Sequence, residues 1–170
     1  MESKVKVAGH PVHPMLIVFP LGLLATAVIF DIIGLSTSDS KWSSMAWYMI
    51  GAGIIGGLLA AVFGLIDWLA IPANTRAKSI GLLHGGLNVL VVVLFICSFL
   101  VRRPDPANPS GVALALSFVA VLIALVGGWL GGELVDRLGV GVDDGANLNA
   151  SSSLSGKSAG STVKNTRKLA

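Results

Sequence analysis

The sequence predicts an all-α membrane protein, namely an antiparallel four-helix transmembrane bundle followed by a disordered C-terminal tail. Of its 170 residues, 54% are hydrophobic and only 12% are charged, about half the roughly 25% charged share of soluble domains. The mean hydropathy is +0.81, and the apolar residues gather into four long runs separated by short polar segments. Together these observations exclude a soluble globular protein.

The four apolar runs cover residues 15–35, 45–71, 80–101 and 112–135. Each is long enough to cross a hydrocarbon core of about 30 Å, for which a helix needs roughly 20 residues. Continuous apolar runs favour helices over strands, and short connections make neighbouring helices antiparallel. We therefore expect one four-span domain over residues 1–140, with the first run retained as a span rather than cleaved.

The C-terminal region differs in composition from the spans. Residues 147–168 are rich in Ser, Gly, Asn and Lys and contain few large apolar side chains. Such a segment cannot bury enough surface to offset the entropy of its chain. We therefore expect residues 141–170 to form a disordered cytoplasmic tail, whose Lys164, Arg167 and Lys168 offer a weak attraction for anionic lipid.

Basic residues are distributed unevenly between the two sides of the predicted bundle. The N-terminus, the second loop and the C-terminus share one side, which holds most of the 12 Lys and Arg residues. The positive-inside rule places that side in the cytoplasm. Membrane orientation thus accounts for the net charge of +3, so the expected partner is the lipid bilayer and not nucleic acid. The single cysteine, Cys97, excludes an intramolecular disulfide and any Cys-based metal motif.

Ionisable side chains inside spans are costly to bury and mark candidate functional sites. Asp67 lies near the end of the second span and His84 near the start of the third, so the hairpin between them sets both at the same depth. His10 and His13 enter the bundle at that end, and Glu133 leaves by it. One end of the bundle is therefore expected to collect histidines and carboxylates.

Structural roles compete with this interpretation. His84 could bond to the side chain of Asn88 or to Asp67, in which case Asp67 is only its partner. Glu133 could simply snorkel to the interface. Asp31 lies near the opposite end of the bundle, where it is expected to pair with one of three basic residues: Lys41, Arg102 or Arg103.

Glycines recur within the spans at spacings that let helices approach closely. They can pack the spans of one bundle together or support a homodimer. Pro20 has no N–H to donate to the carbonyl of Leu16, so a kink is expected in the first span. The glycine pairs are Gly53 and Gly57, Gly81 and Gly85, and Gly128 and Gly132.

A recognisable phrase opens the first span. Residues 9–20 read Gly-His-Pro-Val-His-Pro-Met-Leu-Ile-Val-Phe-Pro, which resembles the start of a bacterial family of small four-span membrane proteins known as domain of unknown function 2231. The resemblance covers roughly residues 8–142. It implies an acidic residue late in span two (Asp67), a histidine early in span three (His84) and a Gly-Gly-x-Leu-Val segment closing span four (131–135).

This resemblance implies the four-span fold and a place in the bacterial inner membrane, but no activity. Asp136 stands where the family pattern leads us to expect an aromatic residue, which puts one interfacial anchor in doubt. The chemistry of the site must therefore come from the polar residues themselves.

Three classes of function stay open. In the first, His13 and His84 are axial ligands of haem b, with Gly85 and Gly86 leaving space for the macrocycle, in a redox role with a redox partner. A variant of this class holds a divalent metal with mixed imidazole and carboxylate ligands. Those candidate ligands are His10, His13, Asp67, His84 and Glu133.

The second class is a proton-linked transport subunit, since a His–Asp pair in a membrane can exchange protons. The third is a non-catalytic membrane partner or assembly subunit, which needs no chemistry from the histidines. No catalytic residues are predicted, because the sequence contains no His-Glu-x-x-His motif and the polar residues of the spans do not match a hydrolytic site.

Overall fold

A computed structural model describes residues 1–161 of the chain. Four of its helices are long and apolar enough to cross a membrane, which confirms the predicted four-helix bundle. The helices extend beyond the apolar runs because their polar ends continue the helical hydrogen bonding past the hydrocarbon core. These four spans are Val12–Thr37, Ser40–Ala70, Arg76–Arg102 and Gly111–Arg137.

Each span is built from regular elements with few irregularities. Span one consists of α1 and α2, spans two and three are α3 and α4, and span four is α5 followed by a π-helical turn, Glu133–Arg137. Two short antiparallel strands, β1 and β2, precede span one. The bounds of the other elements are β1 Lys6–Val7, β2 His10–Pro11, α1 Val12–Leu16, α2 Val18–Thr37, α3 Ser40–Ala70, α4 Arg76–Arg102 and α5 Gly111–Gly132.

Three of the long helices begin at a side-chain cap. Asp39 accepts a hydrogen bond from the backbone of Lys41 at the start of α3. Thr75 caps α4 and Ser110 caps α5 in the same way. Such caps satisfy backbone N–H groups that the first turn of a helix leaves without a partner, so the short polar loops fix where each span starts.

Span one is interrupted near its start. The short helix α1 ends at Leu16, and α2 begins at Val18 after the connecting residue Ile17. Pro20 lacks the N–H that would bond to the carbonyl of Leu16. The expected irregularity at Pro20 therefore appears as a break between α1 and α2.

The bundle consists of two helical hairpins that face each other. Helix α2 packs along α3, and α4 packs along α5. The core between the hairpins is apolar, and the large side chains outside it face the surroundings that a bilayer would fill. Central members of this core are Leu24, Ala27, Ile50, Val91, Phe95 and Ala120.

Residues at matching sequence positions of the two hairpins lie at matching places in the bundle. His13 and Asp31 of span one correspond to His84 and Arg102 of span three, because the same number of residues separates the members of each pair. His13 lies beside His84, and Asp31 bonds to Arg102. Counterparts in spans two and four also share a spacing and include Ala46 with Ala113, Ile50 with Ser117, Ala60 with Gly127, and Gly64 with Gly131.

These counterparts face the interior in both hairpins. Ala46, Ile50, Ala113 and Ser117 all have 0% exposure. The two hairpins thus form parallel structural repeats related by a pseudo-two-fold axis along the bundle, an arrangement known in membrane transporters. The repeat is hard to see in the sequence. The counterparts share burial and small size, but most of them are different residue types.

The segment after span four folds back toward the N-terminal residues. Ser153 Oγ donates to the carbonyl of Ala8 at 3.0 Å, and Lys6 forms an ion pair with Asp143. A short 3-10 helix, Ser153–Ser155, lies in this segment. The disorder expected for residues 141–170 stays a prediction, and the terminal basic residues Lys164, Arg167 and Lys168 lie outside the described residues.

Candidate functional site: a histidine pair between the hairpins

His13 is held by span two. Its Nδ1 lies 2.9 Å from the backbone oxygen of Ala60. One turn further along, Gly64 provides the space for the ring, because a Cβ there would lie 2.9 Å from Cε1 of His13. A carbonyl oxygen can only accept, so Nδ1 carries the hydrogen.

His84 is held by span four in the same manner. Its Nδ1 lies 2.9 Å from the backbone oxygen of Gly127, and a Cβ at Gly131 would lie 3.2 Å from its Cε1. The side-chain amide of Asn88 donates to the backbone oxygen of His84 at 2.8 Å and lies 3.4 Å from both ring nitrogens. The contact of His84 with Asn88 is therefore confirmed, and that with Asp67 is not formed.

The two imidazoles meet across the pseudo-two-fold axis. Their ring centroids are 6.4 Å apart and their planes are nearly perpendicular, at 88°. Because each Nδ1–H is donated to a carbonyl, Nε2 of each neutral ring is an acceptor, and that of His84 lies 3.4 Å from the Asn88 amide nitrogen. His13 Nε2 has no hydrogen-bond partner within residues 1–161. Every buried side-chain nitrogen or oxygen in that part of the chain does have a hydrogen-bond partner. His13 Nε2 is therefore accessible.

The other expected ligands lie elsewhere. Asp67 accepts hydrogen bonds from Ser3 Oγ and from the Lys4 backbone, because the N-terminal segment crosses the end of span two. Glu133 accepts one from Arg76 at 2.6 Å. Within residues 1–161, no three His, Cys, Asp or Glu side chains are placed to hold one metal ion. The set of His10, His13, Asp67, His84 and Glu133 is thus divided, and only His13 and His84 come together.

The glycines that contact the histidine rings are not the ones that the sequence suggested. A Cβ at Gly85 or Gly86 would meet no atom within 4 Å, and both residues are exposed on the outside of the bundle. They therefore do not clear space between the histidines. The rings of His13 and His84 instead approach the backbone at Gly64 and Gly131. The sequence did not indicate this role, because it depends on how the two helices of each hairpin are aligned.

Of the three expected glycine pairs, only Gly53 and Gly57 both pack against a neighbouring span, and Gly81 does so without Gly85. A Cβ at Gly53 would lie 2.6 Å from Leu24, and one at Gly81 would lie 2.7 Å from Trp68. Gly128 faces open space instead. The sequence pattern alone could not separate internal packing from a surface for another chain.

The opposite end of the bundle holds a buried ion pair. Both guanidinium NH groups of Arg102 donate to Asp31 at 2.7 Å, and both side chains are 0% exposed. This confirms the expected pairing of Asp31 with a basic residue. Ser98 and Ser117 complete the network by accepting from Arg102 at 3.1 Å each, a role that the sequence did not reveal.

Comparison with known proteins identifies the family. The family described as "Predicted membrane protein (DUF2231)" matches residues 9–144. The chain belongs to this family. This DUF2231 segment contains both histidines and the buried ion pair, and it ends within the segment that follows span four. The resemblance seen in the opening phrase of span one is thereby confirmed.

One curated relative shows a more distant likeness. The chain is 27% identical over 106 residues to a subunit of the Na(+)-translocating NADH-quinone reductase of Stutzerimonas stutzeri (strain A1501). The aligned part covers 62% of this chain but only 23% of that relative. No solved structure matches the chain.

Proposed function

We propose that His13 and His84 would hold one haem b, and that the protein is a membrane electron carrier. The observation that carries this proposal is the 6.4 Å separation of the ring centroids. Metal–imidazole bonds of about 2.0–2.1 Å, the length known for zinc, would require two rings that share one metal to lie at a separation of about this size. The two rings already stand at that separation.

The backbone contacts of the histidines support the same proposal. A ligating histidine almost always donates its other ring N–H to a carbonyl, a carboxylate or water, which fixes the tautomer and raises the basicity of the ligand. Ala60 and Gly127 supply such carbonyls to His13 and His84. The accessible Nε2 of His13 is the atom that this role requires.

When bound, a haem of this type supplies one-electron chemistry. The residues of the chain hold and orient the two imidazoles through the carbonyls of Ala60 and Gly127. The relative from Stutzerimonas stutzeri bears the name of a subunit of a quinone reductase, which agrees with a redox role in a membrane. We accordingly expect a membrane-associated redox partner.

Location and domain organisation are part of the proposal. We place the protein in the bacterial inner membrane with both termini in the cytoplasm, which puts the histidine pair at the cytoplasmic end. Support comes from the excess of Lys and Arg residues on that side. The functional domain is then the bundle of residues 1–140, and residues 141–170 form an appended tail.

A second candidate function is that of a non-catalytic subunit of a larger membrane complex. The exposed Gly85, Gly86 and Gly128 face open space, where a helix of another chain, including a second copy, could approach closely. Proton-linked transport receives no comparable support. Apolar core residues, Leu24 in span one and Val91 and Phe95 in α4, stand along the helices between the histidine pair and the ion pair.

The haem content of histidine variants tests the main proposal. The protein is expressed with ample haem, purified in detergent and assayed for haem by the pyridine haemochrome method. We expect one haem per chain in the unsubstituted protein and loss of it in His84→Ala and His13→Ala. His10→Ala is the matched control, because this exposed histidine lies near His13 in sequence but outside the pair.

Three results would contradict the proposal. Full haem occupancy in His84→Ala would show that this residue is not a ligand. A haem-free protein that carries a stoichiometric transition metal in elemental analysis would replace haem by a metal ion, and a protein that carries neither would favour the non-catalytic subunit.

A further inference from the structure

The two histidines are supported very differently although the hairpins are equivalent. His84 lies inside the regular helix α4, which begins well before it at Arg76. His13 is the second residue of the short helix α1, which breaks before α2. The position of His84 is therefore fixed by its own helix on both sides, whereas that of His13 depends on what precedes it in the chain.

What precedes His13 is a small hairpin, which we call the N-terminal strap and define as residues 3–11. Lys6 pairs with Pro11 and Val7 with His10 in its two strands. The backbone N–H of Val12 donates to the carbonyl of Val5 at 3.0 Å. The strap thus leads without a break into α1, so that a displacement of the strap also displaces His13.

Asp67 fastens the strap to span two. Its two carboxylate oxygens lie 2.9 and 2.8 Å from Ser3 Oγ, and one of them accepts from the backbone N–H of Lys4 at 2.7 Å. Ser3 is buried, with 7% exposure. These are hydrogen bonds to a charged group, the stronger kind in proteins.

The second hairpin has no carboxylate at the position of Asp67, although the neighbouring Glu133 accepts from Arg76, the first residue of α4, at 2.6 Å. The counterpart of Asp67 in span four is Leu134, a buried apolar residue. His84 needs no strap, so the counterpart of Asp67 in span four can be an apolar residue that packs in the core. The carboxylate of Asp67 therefore stands on the hairpin whose histidine lacks helical support.

We propose that Asp67 is a positioning residue for His13, acting through the N-terminal strap, and that His13 is the exchangeable member of the histidine pair. This inference rests on the proposed haem site for its ligand, but the mechanical link between Asp67 and His13 does not. Release of the strap withdraws His13 and opens one coordination position, while His84 stays in place.

Two measurements on Asp67→Asn test the proposal, with Glu133→Gln as the matched control. Glu133 is a carboxylate at the same end of the bundle but bonds to Arg76 instead of the strap. The first measurement is hydrogen exchange of the backbone of residues 3–17 in detergent. The second is binding of carbon monoxide to the reduced haem protein, which requires an open position on the iron.

Loss of hydrogen bonds to the charged group should raise the open population by about ten- to one-hundredfold. We expect exchange in residues 3–17 and apparent carbon monoxide affinity to rise by that factor in Asp67→Asn, and to stay unchanged in Glu133→Gln. Ser3→Ala removes only one donor and should give a smaller rise. If Asp67→Asn does not fold, Ser3→Ala provides the test instead.

The outcomes separate the two proposals. If the unsubstituted protein binds no haem, the proposed function fails, and faster exchange of residues 3–17 still establishes Asp67 as the anchor of the strap. If haem is present and Asp67→Asn changes neither the exchange nor carbon monoxide binding, the positioning role of Asp67 is overturned. Unchanged carbon monoxide binding despite faster exchange would show that the strap does not control His13.

Discussion

The two ends of the bundle carry polar pairs on the same pseudo-two-fold axis, but the pairs differ in how fully they are satisfied. At one end, Asp31 and Arg102 are 0% exposed and bond to each other and to Ser98 and Ser117. At the other end, His13 and His84 are only partly buried, and each uses one ring nitrogen on a backbone carbonyl.

This difference indicates what each pair does. A buried charge pair with every partner supplied fixes the arrangement of helices and has no atom left for chemistry. The Nε2 of His13 has no partner among the described residues and that of His84 has only the Asn88 amide at 3.4 Å, so this pair can bind a ligand. We infer that the ion pair holds the hairpins in register at one end, and the histidines are the candidate site at the other.

The largest expected effect follows from breaking the ion pair. Asp31→Asn or Arg102→Met leaves an uncompensated buried group, and removal of one partner of such a pair costs about 3–5 kcal/mol. The free energy of unfolding in mixed micelles measures this loss. The double variant Asp31→Leu with Arg102→Met should recover much of it, because no charge is then left buried.

The exposed ion pair between Lys41 and Asp39 supplies the control, since its side chains are 65% and 38% exposed. Lys41→Met should leave the free energy of unfolding almost unchanged, because solvent screens an exposed ion pair. An equal loss for the exposed and buried pairs would contradict the structural role of the Asp31–Arg102 pair.

A smaller effect is expected from adding a methyl group beside the histidines. A Cβ at Gly64 would lie 2.9 Å from His13, so Gly64→Ala must displace the ring or the helix, at a cost of about 1–3 kcal/mol. We expect its haem occupancy to fall, as judged by the absorption spectrum. In Gly131→Ala, where the contact distance is 3.2 Å, the loss should be milder.

Gly85→Ala is the matched control, because a Cβ there meets no atom within 4 Å. It should bind haem as the unsubstituted protein does. A loss in Gly85→Ala equal to that in Gly64→Ala would favour the alternative in which Gly85 borders the macrocycle.

The smallest effect concerns the exposed carboxylate at the ion-pair end. Hydrogen bonds from the side chain and then the backbone of Lys41 hold the pKa of Asp39 below its ordinary value of 3.8. The contribution of Asp39 to stability is therefore present above pH 3.8 and lost as the pH falls through its lowered pKa in the folded protein.

Melting temperatures of the unsubstituted protein and of Asp39→Asn, compared across that acidic range, measure this contribution. The two proteins should differ slightly near neutral pH and converge in acid. A difference that grows as the pH falls would have the wrong sign for this interaction.

Composition and hydropathy were enough to predict the four spans, because the bilayer demands long apolar helices. The convergence of His13 and His84 followed from their places at the same end of the bundle. The sequence did not reveal that Asp67 bonds to the N-terminal strap, since the path of a short irregular segment leaves no periodic pattern. The carbonyls of Ala60 and Gly127 were also beyond prediction, because every residue has one and only the helix register selects these two.

Electron paramagnetic resonance of the oxidised protein tests the central claim most directly. If His13 and His84 held one haem iron with their planes at 88° as they stand, two iron orbitals would be nearly equal in energy, and the low-spin signal would be strongly anisotropic. We expect that signal in the unsubstituted protein and in His10→Ala, and its loss in His13→Ala and His84→Ala. A haem-replete protein without a low-spin signal, or one that keeps it in His84→Ala, would contradict the proposed histidine pair.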